Sequence, residues 1–212
     1  ATVEDLAWLR SRGLDRALAE RARRGGPTFG VCGGYQLLGR RILDPVESGA
    51  GEVEGLGLLP VETRFEAGKV LATPSGTAPA FGGAAAGGYE IHHGRTRRLG
   101  GEPLLATGGG EDGCRLGTVV GTSWHGLLER DGFRRAFLAW VAGQRGLDWV
   151  PGERPFAAVR EERLDALGDL VADHLDAAAL DRLIERGAPA GLPVVPPAGP
   201  AAALAAGRGA TA

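Results

Sequence analysis

Three features of the sequence predict an α/β fold. An apolar segment, Pro27-Thr28-Phe29, enters Gly30-Val31-Cys32-Gly33-Gly34, and an amphipathic helical pattern leaves through Tyr35-Gln36-Leu37-Leu38-Gly39. That order is strand, sharp turn, helix. A second β-rich stretch, Gly117-Thr118-Val119-Val120-Gly121-Thr122-Ser123-Trp124-His125-Gly126, carries His125 to its C-terminal end. Open α/β sheets present their chemistry just outside the carboxyl ends of their strands. Helix-period segments lie on both sides, at 3–24 and beyond Phe133.

The elements follow in order. Residues 3–24 place Leu6, Leu9, Leu14, Leu18 and Ala22 on one side; Gly13 breaks the helix and Gly25-Gly26 ends it. Thr2-Val3-Glu4-Asp5 has the form of an N-cap with acidic first-turn residues. The elbow strand and its helix extend to about Arg41, and Asp44 to Gly55 reads as an acidic, Gly-rich loop. Residues 56–65 and 69–73 read as two strands. The Gly/Ala/Pro-rich stretch 74–88 reads as a flexible surface insertion. Residues 88–96 form a strand whose alternation puts Glu90 and His92 on one face and Tyr89, Ile91 and His93 on the other. Cys114 to His125 is a hairpin or a pair of short strands, and Phe133 to Arg145 a helix. A further amphipathic helix spans about Arg160 to Arg186, its apolar side formed by Leu164, Leu167, Leu170, Val171, Leu175, Leu180 and Leu183. The domain is therefore expected to span 1–187. The Pro/Ala/Gly-rich tail 188–212 has too little apolar surface to offset chain entropy and is expected to be disordered.

Composition narrows the function classes. The 212 residues suffice for one domain with a real core, and 43% hydrophobic and 24% charged residues are those of a globular protein. A net charge of -2 supplies no basic footprint for nucleic acid or an anionic membrane. No apolar run approaches the ~20 residues that span a bilayer, and no signal-peptide pattern opens the chain. Two cysteines in dissimilar contexts are no disulfide framework, so the expected compartment is the cytoplasm. The chain has no methionine and opens at a helix start. A parallel sheet whose nucleophile strand comes first would be unusual, so the chain reads as part of something longer, lacking its first strands.

The chemistry centres on Cys32. Gly30-Val31-Cys32-Gly33-Gly34 is a G-x-C-x-G nucleophile elbow, with glycines on both sides of the bend to relieve Cβ clashes. Such a turn points the thiol out of the sheet edge, and the helix N-terminus favours thiolate and oxyanion charge. The competing explanation is a small buried cysteine that merely packs. A cysteine nucleophile needs a base, usually imidazole, and of the four histidines His125 is the one at a strand end before glycine. Adjacent His92 and His93 point to opposite faces and cannot chelate one ion, and no spaced Cys/His/Asp set completes a metal site. Gly33-Gly34 and Gly108-Gly109-Gly110 fit neither phosphate-loop pattern, and Lys69 is the only lysine. No cofactor is expected on this chain.

With these segments placed, the chain resembles the C-terminal glutaminase domain of the cobyric acid synthase family, nearly end to end. Gly30 to Gly39 is similar to that family's G-I-C-G-G-Y-Q-M-L-G elbow. Gly55 to Pro60 resembles G-L-G-L-L-P, and Gly88 to Thr96 resembles G-Y-E-I-H-x-G-x-T. Gly121 to Leu128 resembles G-T-Y-x-H-G-L-F. The opening helix looks like the one after the family's P-G-S/T-K-x-T loop. The resemblance implies a class I glutamine amidotransferase-like (flavodoxin-like) three-layer sandwich, incomplete at its N-terminus. It implies that Cys32 attacks the glutamine side-chain amide, that Gly33 helps hold the oxyanion, and that His125 acts as general acid and base. Gln36 and Glu90 would join Gly33 around substrate. ATP and Mg would belong to an absent amidoligase domain acting on adenosylcobyrinic acid a,c-diamide, at positions b, d, e and g. Where most class I glutaminases carry H-x-E, this chain has Leu127, as members of this branch do. Glu90 is the candidate partner of His125. Three alternatives stand beside this reading: a lipid II amidating glutaminase subunit working with a Mur-type ligase, a catalytically inactive interaction module, and a cysteine α/β-hydrolase using Asp112 or Glu111.

Overall fold

The computed structural model describes residues 2–194. The chain divides into two units, meeting between Val159 and Arg160. The first opens with α1 (Thr2–Ser11) and α2 (Leu14–Arg23), separated as predicted at Gly13, whose φ of 69° suits glycine. Thr2 departs from its expected capping role: it lies inside α1, and its hydroxyl donates to Gln36 Oε1 at 3.1 Å. Then come β1 (Thr28–Val31), α3 (Gly33–Leu38), β2 (Arg41–Asp44), β3 (Gly51–Glu54), β4 (Val61–Ala72), β5 (Ser75–Ala78) and β6 (Ala84–Gly87). The unit continues through β7 (Glu90–Arg98), β8 (Leu105–Thr107), β9 (Gly110–Asp112), β10 (Cys114–Leu116), β11 (Val119–Thr122) and α4 (Asp131–Gln144). The mixed α/β class is as predicted, and so are the β10–β11 hairpin and α4.

Three sheets organise this unit, in the orders β1-β11-β10, β3-β2-β4-β7 and β6-β5-β8-β9. The first positions the elbow: β1 runs parallel to β11, with Val31 opposite Thr122, and β10 closes onto β11 antiparallel.

Four segments of the first unit differ from expectation, because the backbone finds hydrogen-bond partners that the local pattern does not show. The elbow helix stops at Leu38 instead of about Arg41, since the Arg40 N–H donates to Val61 O at 2.8 Å and the chain enters β2. The supposed loop from Asp44 to Gly55 is largely a β2–β3 hairpin. Its turn is organised by the buried Asp44 carboxylate, which accepts from the N–H groups of Val46, Glu47 and Ser48 and from the Ser48 hydroxyl. Burial pushes that carboxyl up, but the Ser48 hydroxyl and the three N–H groups together hold it below the usual range. The two strands expected at 56–65 and 69–73 are one strand, β4, whose register with β7 shifts between Phe65 and Val70. It starts only at Val61, because the N–H groups of Leu58 and Leu59 donate to Leu38 O.

The supposed flexible insertion at 74–88 is ordered. It supplies β5 and β6 and sends Ala78, Phe81 and Ala86 into a core with Leu104, Leu105, Val120, Trp124, Leu127, Phe133 and Phe137. Its small residues permit close strand approach: a Cβ on Gly76 would lie 2.1 Å from Ala106 O. Smaller clusters sit around Tyr35, Leu38, Leu59 and Val61 and around Leu6, Ile42 and Phe65.

The helix α5 (Phe156–His174) begins in the first unit and continues into the second, where α6 (Ala177–Arg186) follows. One continuous helix over 160–186 was expected. The chain breaks at Asp176, whose side chain accepts from Ala179 N at 3.1 Å as the N-cap of α6. Residues 188–194 form neither helix nor strand, and the rest of the expected tail lies outside the described residues. No described helix is long and apolar enough to cross a membrane.

Candidate active site

Cys32 has φ 49° and ψ −112°, and among the described residues it is the only non-glycine with positive φ. A cysteine held there is strained, as a nucleophile elbow requires. The geometry explains one flanking glycine and not the other. A Cβ on Gly30 would meet Leu38 Cδ1 at 2.6 Å and Gly34 O at 2.8 Å, whereas one on Gly34 would meet nothing within 4 Å. The Cys32 N–H donates to Thr122 O at 2.9 Å, tying the turn to the end of β11. Three residues beyond that strand stands His125, behind the buried Trp124. Cys32 and His125 therefore both follow the C-terminal ends of neighbouring parallel strands.

The thiol's surroundings do not lower its pKa as the helix N-terminus alone was expected to do. Burial pushes it up most, the Gly33 N–H pulls it down, and the carboxylates of Glu47 and Glu90 push it up further. The helix is only six residues long, so its dipole is small against burial. A resting thiol of this kind is protonated and needs a base to become the thiolate nucleophile. The sign gives a prediction. Glu90→Gln removes one raising charge, so the pH profile of Cys32 alkylation by iodoacetamide should move to lower pH, with faster alkylation at neutral pH. A profile that stays put or moves to higher pH contradicts this.

His125 is held by an isolated antiparallel bridge to Tyr89: the Tyr89 N–H donates to His125 O at 3.1 Å, and the His125 N–H to Tyr89 O at 2.8 Å. The two rings stack with centroids 4.9 Å apart and planes 9° from parallel. His125 Nε2 is buried and, among the described residues, has no hydrogen-bond partner. Gly88 makes the bridge possible, since a Cβ there would sit 2.1 Å from His125 O. Gly88→Ala should therefore displace His125 and lower the turnover of any reaction it serves by roughly 10–100-fold. Steady-state kinetics on folded variant, checked by circular dichroism, measure this.

The other sequence-predicted residues occupy different stations. Gly33 is beside the nucleophile, its N–H on the thiol. Glu90 and His92 share a face as expected, and they meet each other: His92 Nε2 lies 3.2 Å from Glu90 Oε1. The ring against His125 belongs to Tyr89, not to the Glu90 carboxylate. Gln36 is buried and binds Thr2, and its Nε2 fills the space where a Cβ of Gly94 would be, at 2.5 Å; it is a tie between α1, α3 and β7. Asp112 accepts from Thr122 Oγ1 at 2.5 Å, and that oxygen accepts from Trp124 N at 3.1 Å. Asp112 thus anchors the turn before His125. Burial pushes its carboxyl up, against the pull of the Thr122 hydroxyl. Cys114 is fully buried, its thiol pushed up by burial to about 11, so the two cysteines differ in access. Among the described residues no three His, Cys, Asp or Glu side chains are grouped to hold a metal ion.

The sequence did not announce Thr122 or Tyr89, and it offered Asp112 only as the acid of a hydrolase, not as the anchor of this turn. Tyr89 carried one signal, an aromatic opening an alternating strand, but its partner lies 36 positions away in the register of the bridge.

Comparison with known proteins agrees with this geometry. Residues 1–133 match the profile of the CobB/CobQ-like glutamine amidotransferase domain. The chain is 58% identical over 200 residues to the cobyric acid synthase of Frankia casuarinae, covering 93% of this chain and 37% of that protein. It is 55% identical over 201 residues to that of Streptomyces avermitilis (94% and 38%). To that of Saccharopolyspora erythraea it is 52% identical over 215 residues (99% and 41%). The chain thus spans about two-fifths of these relatives' length. The crystal structure of a glutamine amidotransferase superposes with a TM-score of 0.52 at 20% identity, over 69% of this chain and 76% of that one, a likeness of fold.

Proposed function

This chain belongs to the CobB/CobQ-like glutamine amidotransferase domain family, and from that premise we propose that it is the glutaminase part of a cobyric acid synthase. The observation that carries the chemistry is the strained Cys32 at the end of β1, beside the parallel strand that leads to His125. The Cys32 thiol gives its proton to His125, and sulfur attacks the side-chain amide carbon of glutamine. The Gly33 N–H stabilises the oxyanion. His125 returns the proton to the departing nitrogen, so ammonia leaves and a γ-glutamyl thioester remains. His125 then takes a proton from water, hydroxide adds to the thioester, and glutamate and free thiol are released.

Ammonia is useful only if a second centre consumes it. The relatives' name and greater length support an amidoligase partner that activates carboxylates with ATP and Mg. Its acceptor is adenosylcobyrinic acid a,c-diamide, amidated at b, d, e and g, a reaction placed in the cytoplasm by its ATP demand. Labelling with 6-diazo-5-oxo-norleucine, a glutamine-like electrophile, tests the glutaminase step. Peptide mass spectrometry should find the adduct on Cys32. Modification of Cys114 instead, or none, overturns the reading.

A further inference from the structure

We propose that Tyr89 is the positioning residue of His125, an aromatic plate that sets the plane of the imidazole. This rests on the reading of His125 as the acid and base of glutamine hydrolysis.

The stack is a consequence of register. Tyr89 and His125 face each other directly across an antiparallel bridge and exchange both backbone hydrogen bonds. Side chains of such a pair leave the backbone on the same side, close enough to interact. Here the rings stack almost parallel, their planes 9° apart, with centroids at 4.9 Å. Gly126 completes the cradle. It sits at φ 75°, and a Cβ there would meet the Tyr89 ring at 3.7 Å, against Cδ1 and Cε1.

The carboxylates that the sequence offered as partners, Glu90 and Asp112, meet other groups. The residue two places after His125 is Leu127, packed in the aromatic core. Glu90 engages His92, and Asp112 engages Thr122. His125 Nε2 is buried and makes no hydrogen bond among the described residues, so nothing at that nitrogen fixes the ring's rotation. A flat neighbour restricts that rotation without supplying a charge. It also suits both states of the catalytic cycle, because an aromatic face accepts neutral imidazole by stacking and imidazolium by its quadrupole.

Tyr89 is 47% exposed, so replacing it does not hollow the core. The backbone bridge is available to any residue at that position except proline. The test uses the full chain with glutamine as substrate and three variants. Tyr89→Phe keeps the plate and should stay within about twofold of the parent, whereas Tyr89→Leu and Tyr89→Ala should lose roughly 10–100-fold in kcat with little change in KM. Equal losses in Phe and Ala, or unchanged kcat in Leu and Ala, overturn the proposal. A second readout needs no turnover. The His125 imidazole C–H resonances, assigned with His125→Gln, should be shifted upfield by the ring current in the parent and in Tyr89→Phe, and relax downfield in Tyr89→Leu. Resonances that do not move also overturn it. A parent that hydrolyses no glutamine, yet shows these shifts, contradicts the glutaminase reading and leaves the stack established.

Discussion

Cys32→Ser is expected to abolish glutamine hydrolysis, by about 10⁴-fold or more, in a chain that remains folded. Loss of a nucleophile in a hydrolase that works as a unit with its base is of this order. Serine matches the size of cysteine and meets the same strained φ of 49°, so the elbow should keep its shape. What changes is the acidity of the attacking group. The thiol already lies above its usual value because burial and the Glu47 and Glu90 carboxylates oppose its ionisation. A hydroxyl in that place is further from ionisation by many orders of magnitude, and the Gly33 N–H cannot compensate. Glutamate release measured by a coupled dehydrogenase assay gives the number. In a protein that also contains the amidoligase centre, the same variant should still use free ammonia. Residual glutamine hydrolysis close to the parent rate would remove Cys32 from the mechanism.

His125→Ala should cost roughly 10²–10⁴-fold in kcat, the usual contribution of a positioned acid and base. Two proton transfers pass through this ring, one in forming the thioester and one in its hydrolysis. The double variant Cys32→Ser with His125→Ala should therefore be hardly slower than Cys32→Ser alone, since each step needs both groups. Leu127 provides the contrast. It follows His125 by two places, yet it is buried in the core with Trp124, Phe133 and Phe137. Leu127→Ala should lower stability by about 2–5 kcal/mol through the cavity it leaves, seen as a lower urea midpoint. At a temperature where the variant is folded, its glutamine turnover should be near that of the parent. A turnover loss matching that of His125→Ala would assign Leu127, or its neighbourhood, a part in the chemistry.

The placement of Cys32 on a strand-to-helix turn and of His125 past a strand end was legible in the sequence, for a local reason. A nucleophile elbow is a short-range device: Gly30, Cys32 and Gly33 define the bend within a few residues, and the apolar run before them can only be a strand. His125 was legible because a β-rich run ends there before a glycine, and that glycine does adopt φ 75°. The break at Gly13, the β10–β11 hairpin and α4 were readable in the same way, from turn residues and periodicity. Segments whose state depends on remote partners were misread. Residues 74–88 have the composition of a loose loop, yet Gly76 and the alanines are what let β5 approach β8 and β6 reach the aromatic core. The contact of Gln36 with Thr2, 34 positions away, was not readable either, since it depends on the packing of α1 against α3.

The sequence by itself determined that a cysteine sits on a strand-to-helix turn and a histidine at a strand end, since local sterics and periodicity are enough for that. Only the tertiary structure decided what stands around them. Parallel pairing of β1 with β11 brings Cys32 to Thr122, and the bridge at Tyr89 sets an aromatic ring against His125. The physical reason is that strand register is a long-range choice, made by which apolar faces can be buried together, and one residue of slip sends every side chain to the opposite face. Tyr89 meets His125 across that bridge, while Glu90, the next residue, meets His92. Which of them met the histidine was settled by that register.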